Sequence, residues 1–283
     1  MWSRSESVRG LIPGQACSSS VKRRGPSERS CTSSDVHFEP ISSAHAATAQ
    51  VETPAATDAT DAPSGDIVVL GFGRTRQVQT VSAIDIVAHP EPALAVRHLD
   101  YFGNHIGVYR IDQPHTRFDI EVRATVEVRF PDPPPAAETP PWETLCAALI
   151  GDGFPAPIEA SEFIYESPLV PIIPELRAYG AESLKPGRPI LEAAREITSR
   201  IKKDFEYHPG ATDISTPLNE VFAGKAGVCQ DFAHVMIAAL RSHGLAAGYV
   251  SGYIRTVHSN DEAALRGADA SHAWVAVWCG EGN

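Results

Sequence analysis

The sequence predicts an α+β protein in which a β-sandwich-like amino-terminal domain precedes a mixed α+β domain. Three observations carry this reading. Short apolar runs separated by turn residues fill residues 66–130, six prolines crowd residues 131–141, and from Ile190 onward the pattern runs helix, helix, strand, strand. Strands followed by helices and then strands, without βαβ alternation, argue against a doubly wound parallel sheet.

The 283 residues leave room for one large domain or two ordinary ones. With 43% hydrophobic and 21% charged residues, the chain is near the globular norm, which sets aside collagen-like, wholly disordered and coiled-coil classes. A net charge of -11 opposes phosphate backbones, so nucleic acid is not an expected partner. No stretch approaches the ~18 consecutive apolar residues of a membrane helix, and the start lacks the apolar run of a secretory signal. The expected compartment is the cytoplasm, with no membrane partner. The five cysteines, Cys17, Cys31, Cys146, Cys229 and Cys279, are odd in number and contain no CxxC pair, so a disulfide framework is not expected.

Residues 1–34 carry six basic groups against two acidic ones, with ten serines and no apolar period. With the Ala/Thr/Asp/Pro-rich stretch that follows, residues 1–65 are expected to be a disordered tail and linker. Residues 66–130 form the β domain. Its first run, from Asp66 to Phe72, ends in Gly71-Phe72-Gly73, but Arg76 stands where a dinucleotide loop needs its third glycine, which favours strand plus turn. Within the run from Phe118 to Phe130, Ile120, Val122, Ala124, Val126 and Val128 alternate with polar residues, as in a strand with one wet face. Residues 131–141 read as a semi-rigid proline linker. Residues 142–178 read as a connecting segment, with a short helix from Trp142 to Leu149 and an irregular crossing broken by Pro168, Pro171 and Pro174. In the last domain, 179–283, Ile190, Ala194, Ile197, Ile201 and Phe205 step by four, three, four and four, the spacing of one buried helix face. A second helix is expected from about Val228 to Ser242, with Phe232, Val235, Met236, Ala239 and Leu240 inward and Gly244 as its stop. Strands are expected over Ala247–Thr256 and Ala273–Cys279.

Cys229 stands at the start of that second helix, where unpaired N–H groups and the positive dipole end favour thiolate over thiol. A lone cysteine is also commonly a small buried hydrophobe. His272 enters a hydrophobic strand that could hold its imidazole rigidly toward the helix end, where it could take the thiol proton and return it to a leaving group. Asp231 reads as a first-turn carboxylate favoured by the helix dipole; close to Cys229 it would oppose thiolate formation. His234, five residues after Cys229, and His208 do not make a ligand set with it, no DxDxDG calcium loop is present, and no metal or cofactor is expected. Trp274 reads as sheet core, or as a wall of an acyl site beside the histidine.

Three blocks now stand in order: Gly227-Val-Cys-Gln-Asp-Phe-Ala-His234, Tyr249-Val-Ser-Gly-Tyr253 and Ala270-Ser-His-Ala-Trp274. Together they resemble the core of the transglutaminase-like superfamily, a papain-like cysteine-enzyme fold. The upstream Phe205-Glu-Tyr-His-Pro-Gly-Ala-Thr212 is similar to its bacterial branch, and Asp100-Tyr-Phe-Gly-Asn104 with Pro114-His115 resembles the amino-terminal domain of that branch. The resemblance spans roughly residues 165–279. It implies a papain-like/transglutaminase-like core in which Cys229 is the nucleophile and His272 the base, acting on amide bonds of a protein or peptide substrate by hydrolysis or acyl transfer. It also implies a third residue, an aspartate on the strand after the histidine, for which the chain has no match: Asp231 belongs to the cysteine block and Asp269 precedes His272. The chain ends eleven residues after His272, so a catalytic domain truncated at its carboxyl end is expected. The alternative is a catalytically impaired binding or scaffold module that keeps the fold without the aspartate.

Overall fold

The computed structural model describes residues 7–10, 45–52, 66–72, 79–115, 119–128, 133–151, 156, 158–252 and 272–280. Along the chain the strands are β1 (Ser7–Gly10), β2 (His45–Glu52), β3 (Asp66–Phe72), β4 (Gln79–His89), β5 (Leu94–Leu99), β6 (His105–Ile111), β7 (Asp119–Val128), β8 (Glu206–Tyr207), β9 (Ala226–Gly227), β10 (Ala247–Gly252) and β11 (His272–Trp278). The helices are α1 (Trp142–Leu149), α2 (Ile158–Ser161), α3 (Pro174–Ala181), α4 (Ile190–Asp204), α5 (Leu218–Gly224) and α6 (Cys229–Arg241). The chain divides into two compact units, one of Ser19–Pro131 and one of Met1–Ser18 with Asp132–Asn283.

The first unit holds two three-stranded antiparallel sheets, ordered β2-β7-β4 and β3-β6-β5. Its small core takes Tyr109 and Ile111 from one sheet and Ile120 from the other, with Ile86, Ala88 and Val122 packed against them. β3 runs antiparallel to β6, which places the Gly71-Phe72 end outside any βαβ unit. The Asp100–Asn104 motif is the β5–β6 turn: the Asp100 carboxylate accepts the Asn104 backbone N–H at 2.6 Å and its side-chain amide at 2.9 Å.

Two strands lie where the sequence shows no apolar period. β2 pairs with β7 from His45↔Val126 to Glu52↔Asp119, and β1 pairs with β11 from Ser7↔Trp278 to Gly10↔Val275. Segments so poor in large apolar side chains carry little strand signal, because their pairing is made by backbone groups of the neighbouring strand. The other residues of the expected tail and linker lie outside the described residues.

The second unit is built around α6. Eleven of its thirteen residues are buried, far more than the single inward stripe expected from spacing. The reason is that α6 is covered on both sides, by α3, α4 and α5 and by the strands β10 and β11. The 142–178 segment contributes to this core rather than only connecting to it: Leu145, Leu149, Val170 and Leu176 are all buried in it. The proline linker also does more than span. Pro140 O accepts the Ile190 N–H at 3.0 Å and Thr139 Oγ1 accepts the Leu191 N–H at 3.2 Å, satisfying two first-turn donors of α4. Pro189 flanks α4 as its N-terminal neighbour, and Lys202 and Lys203 occupy the last turn, where the dipole favours cations. Among the described residues no helix is long and apolar enough to cross a membrane.

The α4 face read from spacing is buried as expected, with Ile190, Ala194, Ile197 and Ile201 fully enclosed. Truncating Ile197 to alanine is expected to cost about 2–5 kcal/mol, from lost transfer energy and the cavity left behind. Urea unfolding of the full chain, with an unchanged m-value, measures it.

Candidate active site

Cys229 is the first residue of α6 and His272 the first of β11. The turn at 242–246, with Gly244 at φ 82°, folds β10 back along α6. The helix rises about 18–20 Å, and β10 covers nearly the same length at about 3.3 Å per residue. The far end of β10 therefore returns toward the start of α6, and there Gly252 pairs with His272. The two residues singled out in the sequence thus share one end of the α6/β10–β11 layers.

The loop that delivers Cys229 is fastened from three directions. β8 pairs in parallel with β9, the Glu206 N–H donating to Lys225 O at 2.7 Å and the His208 N–H to Gly227 O at 2.9 Å. Lys225, which ends α5 in the left-handed region at φ 51°, lays its ammonium over Phe222 at 3.3 Å and Phe205 at 4.4 Å. Burial pulls its pKa below the usual lysine value. Then Asp231, itself buried, folds back over the helix start: its Oδ2 accepts the Val228 N–H at 2.8 Å and the Thr212 hydroxyl at 2.6 Å. Gly227 leaves room for that carboxylate, since a Cβ there would stand 2.5 Å from Oδ2 and 2.9 Å from the Asp231 Cβ. The upstream Phe205–Thr212 block is thereby tied to the cysteine block by backbone pairing and by one carboxylate.

His272 is buried, burial lowers its pKa below 6.5, and its Nδ1 finds no hydrogen-bond partner among the described residues. Trp274 shares its strand face by alternation, the rings lying 6.2 Å apart. The indole also covers Gly252, where a Cβ would meet its Cζ3 at 3.0 Å. Trp274 is thus packed beside the histidine and not merely within the sheet interior. His234 stacks obliquely on Tyr249 at 5.3 Å, and burial lowers its pKa while the Asp231 charge works against that. Among the described residues no three His, Cys, Asp or Glu side chains are grouped to hold a metal ion.

Residues 177–283 match the transglutaminase-like superfamily, and residues 73–127 match the bacterial transglutaminase-like N-terminal region. An uncharacterized protein of Mycobacterium tuberculosis is 36% identical over 231 residues, 78% of this chain and 72% of that relative. The chain belongs to the transglutaminase-like superfamily. An uncharacterized protein of Mycobacterium leprae is 28% identical over 212 residues, 73% of this chain and 69% of the relative. The fold is shared with the crystal structure of a candidate cysteine protease from Cytophaga hutchinsonii, at a TM-score of 0.61 and 18% identity over 84% of this chain and 72% of that one. The α+β fold with a papain-like, transglutaminase-like core is that expected from the sequence.

The sequence of this transglutaminase-like chain signals Cys229 and His272 but not the Thr212–Asp231 bond. Its available signal was an acidic residue at the third helical position, the acceptor half of a capping box. The partner nineteen residues upstream had no local signature.

Cys229 is itself buried, 5% exposed, and what distinguishes it from the other described thiols is its place at the start of α6. Burial, with the Glu143 charge second, pushes Cys146 up to about 11, and its Sγ contacts His243 O at 3.2 Å; Cys279 is fully buried. Iodoacetamide labelling at neutral pH, mapped by mass spectrometry, is expected to modify Cys229 ahead of Cys146 and Cys279. Faster labelling of either of those two would count against Cys229. Cys17 and Cys31 lie outside the described residues and are scored separately.

Proposed function

We propose that the chain is a thiol-dependent enzyme acting on amide bonds, with Cys229 as nucleophile and His272 as general base and acid. The observation that carries this reading is the common placement of the two residues, each opening its element at one end of the α6/β10–β11 layers. The imidazole takes the thiol proton as sulfur bonds to the carbonyl carbon. It returns that proton to the departing amine as the C–N bond breaks, leaving a thioester. First-turn N–H groups of α6, which helical geometry leaves without intrahelical acceptors, are the donors available to the tetrahedral oxyanion. Water resolving the thioester gives a peptidase or amidase; an amine gives transfer and cross-linking. The substrate in this reading is a protein or peptide and the compartment the cytoplasm.

One observation favours a second reading, a catalytically impaired binding or scaffold module. Among the described residues His272 makes no hydrogen bond through Nδ1 and none to a carboxylate, the partner that orients the imidazole of a Cys-His-Asp triad.

A peptidyl anilide assayed with and without a primary amine separates the readings. Under the enzyme reading, Cys229→Ala lowers kcat/KM by about 10³-fold or more, His272→Ala by about 10²–10⁴-fold, and the mass of the product shows whether water or amine resolved the thioester. Turnover unchanged in Cys229→Ala would sink it, and turnover no higher in the wild-type chain than in that variant would favour the scaffold.

The pH profile provides a further expectation. A base must be neutral, and burial disfavours the charged imidazole, so the acidic limb of kcat/KM is expected below the ordinary histidine value of 6.5. A limb at or above 6.5 would exclude His272 in its buried setting as that base.

A further inference from the structure

We propose that Lys225 is a positioning residue for the cysteine loop: its ammonium, caged by the Tyr179, Phe205 and Phe222 rings, pins the segment from which α6 starts. The inference rests on Cys229 being the nucleophile but concerns how residues 225–228 are held, which the reaction does not fix.

The backbone at Lys225 singles it out. Among the described residues it is the one non-glycine with positive φ, at φ 51° and ψ 29°. A left-handed position just past a helix is one that glycine fills most easily, since a Cβ there crowds the following carbonyl. Yet glycine stands one residue earlier, where Gly224 is the last residue of α5 and a Cβ would meet nothing within 4 Å. Lysine therefore occupies the place that favours glycine. A residue kept in such a conformation needs surroundings that over-determine it.

Those surroundings are three rings from three elements. The Lys225 Nζ lies 3.3 Å from the centroid of Phe222 in α5, 4.4 Å from that of Phe205, which caps α4, and 5.3 Å from that of Tyr179 in α3. A ring face attracts a cation, more strongly where water is excluded, and Tyr179 and Phe205 are both buried. The rings are themselves fixed. Tyr179 stands edge-on to Phe222 at 5.5 Å and to Phe205 at 6.2 Å, its hydroxyl donates to Asp204 Oδ2 at 3.0 Å, and the Arg200 guanidinium lies 4.0 Å from its centroid. Among the described residues the ammonium makes no ion pair; Glu182 is taken by Arg200 at 2.8 Å. The cage also reaches the cysteine block by two routes. Lys225 O accepts the Glu206 N–H at 2.7 Å, beside the β8–β9 pair, and the Phe205 ring meets Phe232 of α6 at 5.7 Å. Only Ala226, Gly227 and Val228 lie between Lys225 and Cys229, and their own bonds to β8 and Asp231 leave them little slack to absorb a shift of Lys225.

The test uses the full chain and three substitutions. Lys225→Gly removes the cation and relieves the left-handed backbone, Lys225→Met removes the cation but keeps the stem, and Lys225→Arg keeps a cation for the rings. Hydrogen exchange is read by mass spectrometry at the Glu206 and His208 amides, with Val235–Ala239 in the buried middle of α6 as reference. Both uncharged variants are expected to speed exchange at Glu206 and His208 by about tenfold with the reference amides unchanged, and Lys225→Arg to keep wild-type protection. On a peptidyl anilide the uncharged variants are expected to lower kcat by about tenfold or more at nearly unchanged KM, since displacing a reacting group by about 1 Å can cost about 10²-fold. Exchange in Lys225→Gly no faster than in wild type overturns the proposal and leaves Lys225 a turn residue. Exchange speeded equally at the reference amides overturns it in favour of a general stabilising role. Loss of protection in Lys225→Arg as large as in Lys225→Met also overturns it, as does faster exchange with kcat unchanged. Where circular dichroism shows Lys225→Met unfolded, Lys225→Gly, which suits the left-handed backbone, decides by the same readings. Exchange reads the loop whether or not the chain turns over substrate. Turnover retained by Cys229→Ala would thus sink the proposed function alone, and unchanged exchange in Lys225→Gly would sink this inference alone.

Discussion

Burial of α6 on both sides is the constraint from which the arrangement of the second unit follows. A helix with sheet against one side and helices against the other cannot expose a polar face, so its residues must be small or apolar along most of its length. Ala233, Ala238 and Ala239 allow close approach, while Met236, Ile237 and Leu240 fill the space between layers. Close approach shows most plainly at Gly180 of α3, where a Cβ would lie 2.9 Å from Ala239 O. The few polar groups that remain on α6 need partners inside the protein, since an unmet buried acceptor costs about 1–3 kcal/mol. Asp231 meets that need with Thr212 and the Val228 N–H, and in doing so fixes the loop that leads to Cys229. Packing of the helix and placement of the thiol are therefore one problem with one solution.

Much of this was legible in the sequence where a single element carries its own signal. The four-three-four-four spacing marks α4, and Trp142–Leu149 is helical over the residues expected. The β-rich runs between Asp66 and Val128 are strands, with β4 bulged near Ser82 where its register against β7 shifts. The elements that escaped are those whose signal is non-local or too short. Pro174 looked like a breaker among Pro168 and Pro171, yet it is the first residue of α3, where its missing N–H removes no intrahelical bond. The seven residues of α5 span barely two turns, too few to show a period. β8 and β9 are two residues each and are strands only because they face one another.

The same division runs through the site. Cys229 and His272 announce themselves, one by a helix start and the other by the strand that follows it. What fixes their surroundings does not, because it comes from residues joined only in space: Thr212 with Asp231, Lys225 with Phe205 and Phe222, Trp274 with Gly252. A glycine such as Gly227 is ambiguous in a one-dimensional reading. Only the carboxylate folded against it shows that the missing side chain is a matter of space and not of turn geometry.

Burial also sorts the histidines of this unit by what else they touch. His243, His234 and His272 all have pKa values lowered by burial. His243 Nε2 bonds Arg177 O at 2.9 Å, and its ring stands edge-on to Trp142, so it is committed to holding α3 and α1 against the end of α6. His234 is stacked on Tyr249 and feels the Asp231 charge three residues away. His272 has burial as the single cause of its shift and a buried Nδ1 that meets no hydrogen-bond partner among the described residues. Burial that disfavours the charged imidazole thus acts here on a ring whose Nδ1 no described residue engages, which separates His272 from the histidines spent on packing.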